Sequence, residues 1–213
     1  LAMLYQLNVQ YTNGIRLNVE DPFKPSKAVS YAESLVGIAK VLDEGATQLD
    51  AAGAAFPISL PSGYAGFNTP ANFKKFNRAI ALRVAVYQKD WNKAAALLPQ
   101  TFYSATGDLN TGPKHSFNAT PPDVQNPLLN TSTVRIVAIQ KIIDDAEKGD
   151  TRVAAKVREQ TPALSYTSGL TYATKYLTNV YTGANDPVSI IRNEELVLIG
   201  AEIAAQQGNP TEA

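Results

Sequence analysis

The sequence predicts an all-α chain in which tandem helical hairpins form a superhelical scaffold with long irregular loops. Three observations carry that reading. Apolar residues recur at helical spacing in several separate stretches. Two of those stretches are joined by a turn so short that the helices must pack antiparallel. Between the helical stretches lie connections rich in Gly and Pro, 13 of each in 213 residues, which end helices and build ordered loop.

The first residues, LAMLYQLNVQY, are an apolar helical run. From Ser26 to about Ala52 a second helix is expected, with Val29, Ala32, Val36, Ala39, Leu42, Ala46 and Leu49 on one face. Ser26 after Pro25 is the expected N-cap and Gly53 the stop. Gly37 and Gly45 inside the run each cost about 1 kcal/mol relative to alanine, so tertiary packing must support this helix.

Residues 53–69 read as loop. Thr69-Pro70 then supplies a cap followed by proline in the first turn. Phe73, Phe76, Ile80, Val84 and Tyr87 form one stripe, and Ala79, Leu82 and Val86 a second beside it, as in a helix packed between two neighbours. Asp90 is placed to cap a further helix through Trp91, Ala94, Ala95 and Leu98. YQKDWNKAAALLPQ therefore reads as a helical hairpin of tetratricopeptide type, although no strict 34-residue repeat follows it.

Residues 99–131 hold five prolines and form a long connection. A helix is expected through Ile136, Ile139, Ile143 and Ala146, ending at Gly149. The stretch 160–186 is dominated by Thr, Tyr, Ser, Gly and Asn, with room for short extended pieces. Val188–Ile191 leads into a last strong helix with Leu196, Ile199 and Ile203 on one face.

Composition narrows the function classes. At 45% hydrophobic and 18% charged the chain is globular and long enough to bury a sizeable core. Lys+Arg and Asp+Glu are 19 each, so there is no basic excess to displace phosphate counterions, and nucleic acid is not an expected partner. Without cysteine there are no disulfides, thiolate zinc sites or thiol nucleophiles. The single histidine, His115, excludes a multi-histidine metal site. No uninterrupted apolar stretch reaches the roughly 18 residues that span a bilayer. The chain opens without an initiator methionine and closes on GNPTEA, where Gly208 and Pro210 stop one helix and Thr211 suits the cap of another. It therefore reads as a single domain, 1–213, cut at both ends, with any targeting segment lying outside it.

No catalytic residue, metal ligand or cofactor is expected. The chain has no phosphate-cradling glycine loop, no HExxH pair and no GxSxG elbow. Asp144-Asp145 and Glu194-Glu195 are adjacent carboxylates, but neighbours on a helix point about 100° apart and do not converge on one atom. A glycoside hydrolase needs two carboxylates roughly 5–10 Å apart, and the loop acids Asp108, Asp123 and Asp186 are its only natural candidates here.

Aromatic residues are more informative. Tyr87 and Trp91 belong to the hairpin and are expected in its core. Tyr64, Phe67, Tyr103, Phe117, Tyr166, Tyr172, Tyr176 and Tyr181 fall instead in Gly-, Asn- and Thr-rich connections. Aromatic faces stack on the apolar faces of sugar rings while Asn, Thr and Asp bond to hydroxyls, so Tyr64, Phe67, Tyr166 and Tyr172 are the candidate ligand-binding residues. The competing reading is that these rings pin long loops onto helices.

The stretch VSIIRNEELVLIGAEIAAQQGN resembles the pattern of the SusD/RagB family of Bacteroidetes outer-membrane nutrient-binding lipoproteins. The matching positions are Arg192, Glu195, Leu198, Ile199, Ala201, Glu202, Gly208 and Asn209. AMLYQLNVQYTNGIRL is similar to the family's aromatic-rich helix and following turn, with Ile15-Arg16 in place of the usual proline neighbourhood. FNRAIALRVAVYQKDWNKAAALL resembles its tetratricopeptide-like hairpin, KGDTRV its G-D-x-R segment, and Lys175-Tyr176 the pair that often precedes the terminal block. The resemblance implies a non-catalytic receptor, exposed at the cell outer membrane through a lipid anchor outside this sequence. It implies capture of glycan or another nutrient for a SusC-like TonB-dependent transporter, with Arg192, Glu195 and Glu202 structural. A protein-binding tetratricopeptide-like scaffold without a small-molecule ligand is the alternative.

Overall fold

The computed structural model describes residues 1–19, 21, 23–131, 136–166 and 172–209, with Leu164, Ser165, Tyr166 and Tyr172 described by backbone alone. The chain divides into two compact units, one formed by residues 1–114 with 189–213 and the other by residues 115–188.

The first unit is helical. Helices α1 (Ala2–Thr12), α2 (Tyr31–Ala51), α3 (Pro70–Tyr87), α4 (Trp91–Leu97) and α7 (Asn193–Gln206) pack in series, α1 on α2, α2 on α3, α3 on α4 and α4 on α7. Val9, Leu35, Ile38, Leu42, Ile80, Leu82, Val84, Ala94, Leu196 and Ile199 are buried together in one core. The expected double stripe on α3 is present: its middle is buried on both flanks from Phe76 to Ala85. Thr69 and Asp90 cap α3 and α4 through their side-chain oxygens, accepting from the N–H groups of Asn72 and Lys93. Tyr87 departs from expectation: at the open end of α3 it is 41% exposed rather than core. Trp91 is half-buried against the core.

Helix α2 begins later than expected. Ser30, not Ser26, is its cap, in a reciprocal capping box with Glu33, and that hydrogen-bonded pair holds the Glu33 carboxyl below its ordinary pKa. Ser26 instead donates its hydroxyl to the Asn18 carbonyl. Val29 and Ser30 form β2 (Val29–Ser30), which pairs antiparallel with β1 (Gly14–Ile15). The buried stripe of α2 is accordingly Leu35, Ile38, Ala39, Leu42 and Ala46, while Ala32 and Val36 face out. Gly37 is where Leu17 lies against the helix, and a Cβ there would collide with the Leu17 side chain.

The second unit overturns the expected fold class. With 45% helix, 11% strand and several small antiparallel sheets, the chain is mixed α/β and not all-α. Two further short strands, β3 (Lys114–His115) and β6 (Val188–Ser189), pair with each other. Within 115–188, β4 (Val157–Tyr166) and β5 (Tyr172–Thr178) form an antiparallel hairpin whose register shifts between Glu159 and Leu164, around Pro162, which has no N–H to offer a ladder. The helix expected from Ile136 onward begins as extended chain. Ala138 N–H donates to Tyr176 O at 3.0 Å, Thr178 N–H to Ile136 O at 2.9 Å, and Val137 bridges Leu177. Ile136 and Val137 are β-branched and suit that pairing. Of the expected helix, α5 (Gln140–Asp144) forms; α6 (Thr151–Lys156) follows beyond Gly149, and neither buries a residue.

Candidate functional site

Within residues 57–69 the contact with the first half of α3 is made by an aromatic ring, that of Tyr64. A short 3₁₀ turn, Ser62–Tyr64, is followed by Gly66 at φ 79°; Tyr64 meets α3, whereas Phe67 packs on Phe102. Tyr64 is half-buried; its ring stacks on Phe73 at 5.8 Å and 26° and lies 6.2 Å from Phe76. Phe56 joins that cluster, edge-on to Phe73 at 5.6 Å. Phe67 is only 6% exposed and sits edge-on to Phe102 at 4.9 Å within the core, so it presents no face to a ligand. One of the two loop aromatics proposed here from sequence is therefore a packing residue, and Tyr64 keeps at most one free face.

Tyr166 and Tyr172 stand opposite one another in the β4–β5 register. Their side chains lie outside the described residues, as do residues 167–171. The extended pieces for which 160–186 has room are thus residues 160–166 of β4 and 172–178 of β5. On its described part Tyr176 is buried, with the Lys175 ammonium 5.2 Å from its ring centroid. Side-chain hydrogen bonding to the Glu159 carboxylate, 3.1 Å from Lys175 Nζ, and to Tyr176 raises the Lys175 pKa.

The polar side chains expected to meet hydroxyls mostly serve the backbone. Asn126, fully buried, donates to Asp186 O and accepts from Leu128 N–H. Asn130 donates to Thr178 O at 2.6 Å and accepts from Ile136 N–H at 2.6 Å. Asn185 accepts from Ala119 N–H. Sequence reasoning missed this, although Asn in a proline-rich connection is the residue that most often bonds backbone locally.

The loop acids are used in the same way. Asp108 accepts from Asn110 N–H and Asp123 from Val124 N–H. Asp186 accepts from Thr182 and Gly183 N–H at 2.8 and 2.7 Å, which lowers its pKa. His115 is exposed, edge-on to Phe117 at 4.6 Å. Among the described residues no three side chains of metal-ligating type gather, and no helix is long and apolar enough to cross a membrane.

The terminal motif is built into the helical core. Glu195 on α7 takes both oxygens to Arg83 on α3, at 2.5 Å from Nε and 2.6 Å from Nη2, and Arg83 also donates to Ile190 O. Arg192 pairs with Glu194 and reaches Asn110. Asn193 closes a two-way bond with the Ser104 backbone, and Thr111 and Leu109 carbonyls receive the first N–H groups of α7. Gly112, at φ 153°, lets that loop lie against Ile191, where a Cβ would strike the Ile191 carbonyl. Asp150 of the KGDTRV segment caps α6 and is pulled down to a pKa of about 2 by the Arg152 guanidinium.

No protein-family model, no curated protein and no solved structure matches this chain.

Proposed function

We propose that this chain is part of a non-catalytic receptor that binds a neutral, hydroxyl-rich nutrient, a glycan above all, at the outer-membrane surface and passes it to a TonB-dependent transporter. The transporter, the membrane location and the lipid anchor rest on the sequence resemblance. Arg83–Glu195 fits the structural role that the resemblance assigns to Glu195.

The observation that carries the binding reading is Tyr64: a half-exposed ring fixed in orientation by Phe73 and Phe76 before any ligand arrives. A preorganised aromatic face loses little conformational entropy when a sugar stacks on it. Such contacts have little Coulombic component, so affinity is expected to change slightly with salt. One platform gives weak binding, in the micromolar to millimolar range, about −8 to −4 kcal/mol.

Calorimetry with a panel of soluble glycans tests this. Tyr64→Ala, shown to be folded by its circular dichroism, is expected to weaken binding at least about tenfold, a loss of roughly 1.4 kcal/mol. Equal affinity in the variant removes Tyr64 from the site, and a steep loss of binding with salt discards the neutral ligand.

A second reading, a protein-binding scaffold, has an observation of its own. The outward side of α1 exposes Leu4, Leu7 and Tyr11 at 62%, 57% and 89%, and the helix carries no charged residue. Blank glycan screens combined with a specific partner retained by the wild type and lost in Leu4→Glu would favour it.

A further inference from the structure

The sequence has one Asn–Gly pair, Asn13-Gly14. Asn13 is exposed and stands just past the end of α1 at φ 53° and ψ 26°, its N–H donating to the Val9 carbonyl. Gly14, without a side chain, carries the least hindered backbone nitrogen that a preceding side-chain amide can meet. A ψ of 26° nevertheless holds that nitrogen nearly trans to Asn13 Cβ across the Cα–C bond, out of reach of Cγ.

We propose that Asn13-Gly14 is a deamidation site that the helix cap keeps closed and that opens when the last turn of α1 releases. In the open form the deprotonated Gly14 nitrogen attacks Asn13 Cγ. The Cγ–Nδ2 bond then breaks, and the side-chain nitrogen takes up a proton and leaves as ammonia. Water opens the resulting succinimide at either carbonyl, leaving aspartate or isoaspartate, and no electrons are exchanged with any other reactant. Isoaspartate inserts an extra backbone carbon between α1 and β1. That displaces the Gly14–Ser30 and Ile15–Val29 pairing and the 3.2 Å bond from Ile15 N–H to Ser34 Oγ, so a modified chain cannot restore the cap. Local release of a helix end from an otherwise folded unit is the low-energy class of opening, and the site is thereby a chemical record of it.

The test is peptide mapping by mass spectrometry of the whole chain, aged in weakly alkaline buffer with and without denaturant, reading the amide-to-acid mass gain at residue 13. The native chain is expected to react at least about tenfold more slowly than the unfolded chain. Val9→Ala, which removes a buried side chain beneath the cap, should speed the reaction in the absence of denaturant. Should that variant fail to fold, urea below the unfolding transition loosens the wild type instead and should have the same effect. Asn13→Gln should abolish the rapid mass gain in this peptide. A native rate within tenfold of the unfolded rate overturns the gating, and an unfolded chain that gains no mass at residue 13 overturns the site.

Discussion

Removing the Arg83–Glu195 pair should loosen α7 from α3. The side chains are 18% and 37% exposed, so the pair is neither a surface contact nor a fully buried one. Exposed pairs contribute about 0–1 kcal/mol, whereas breaking a buried pair costs roughly 3–5 kcal/mol because the remaining charge stays desolvated. The geometry here is bidentate, and without the Glu195 carboxylate the guanidinium keeps, among the described residues, the Ile190 carbonyl at 3.1 Å. Glu195→Gln is therefore expected to cost about 2 kcal/mol, intermediate between those limits. For a chain of this size that is a fall in melting temperature of about 4–8 °C. Urea unfolding followed by circular dichroism, in a cycle with Arg83→Met, separates the pair from the loss of either side chain alone, with a coupling of about 1–2 kcal/mol expected. A coupling below about 0.5 kcal/mol refutes the reasoning and makes this an ordinary surface contact.

Gln6 is buried in α1, and its Nε2 has no hydrogen-bond partner among the described residues, so Gln6→Met should raise the unfolding midpoint by about 1 kcal/mol equivalent; a fall would show that the amide is satisfied. Trp91 is half-buried on the core, and Trp91→Ala should cost about 2 kcal/mol, less than for a fully enclosed ring, with an unchanged midpoint showing that the ring packs on nothing. Asp150 should titrate near pH 2 and not at 3.8, read by carboxyl carbon NMR shifts. Because its folded pKa is depressed, the stability it contributes is present above pH 3.8 and lost as pH falls through about 2, and Arg152→Ala should return the titration toward 3.8.

What could be read without coordinates was local. Thr69-Pro70 and Asp90 announce the starts of α3 and α4, and the two caps form as expected. Leu196, Ile199 and Ile203 mark the buried face of α7 at the spacing a helix imposes. These features depend on residues within a turn or two of one another, and backbone geometry leaves them few alternatives.

Tertiary pairing decided the rest. Ser26 and Ser30 are both acceptable caps in isolation, and the choice fell to Ser30 because Val29 and Ser30 pair with Gly14 and Ile15, residues far back in the chain. The spacing of Ile136, Ile139 and Ile143 suits a helix, yet residues 136–138 join β5, whose unpaired carbonyls and N–H groups needed partners. Phe67 and Tyr64 have the same loop composition around them; only the approach of Phe102 and of Phe73 makes one a core residue and leaves the other half in water. Periodicity and capping act within an element and are written in its own residues. Burial and strand pairing are properties of two segments at once, and a single segment's residues do not say which partner will meet them.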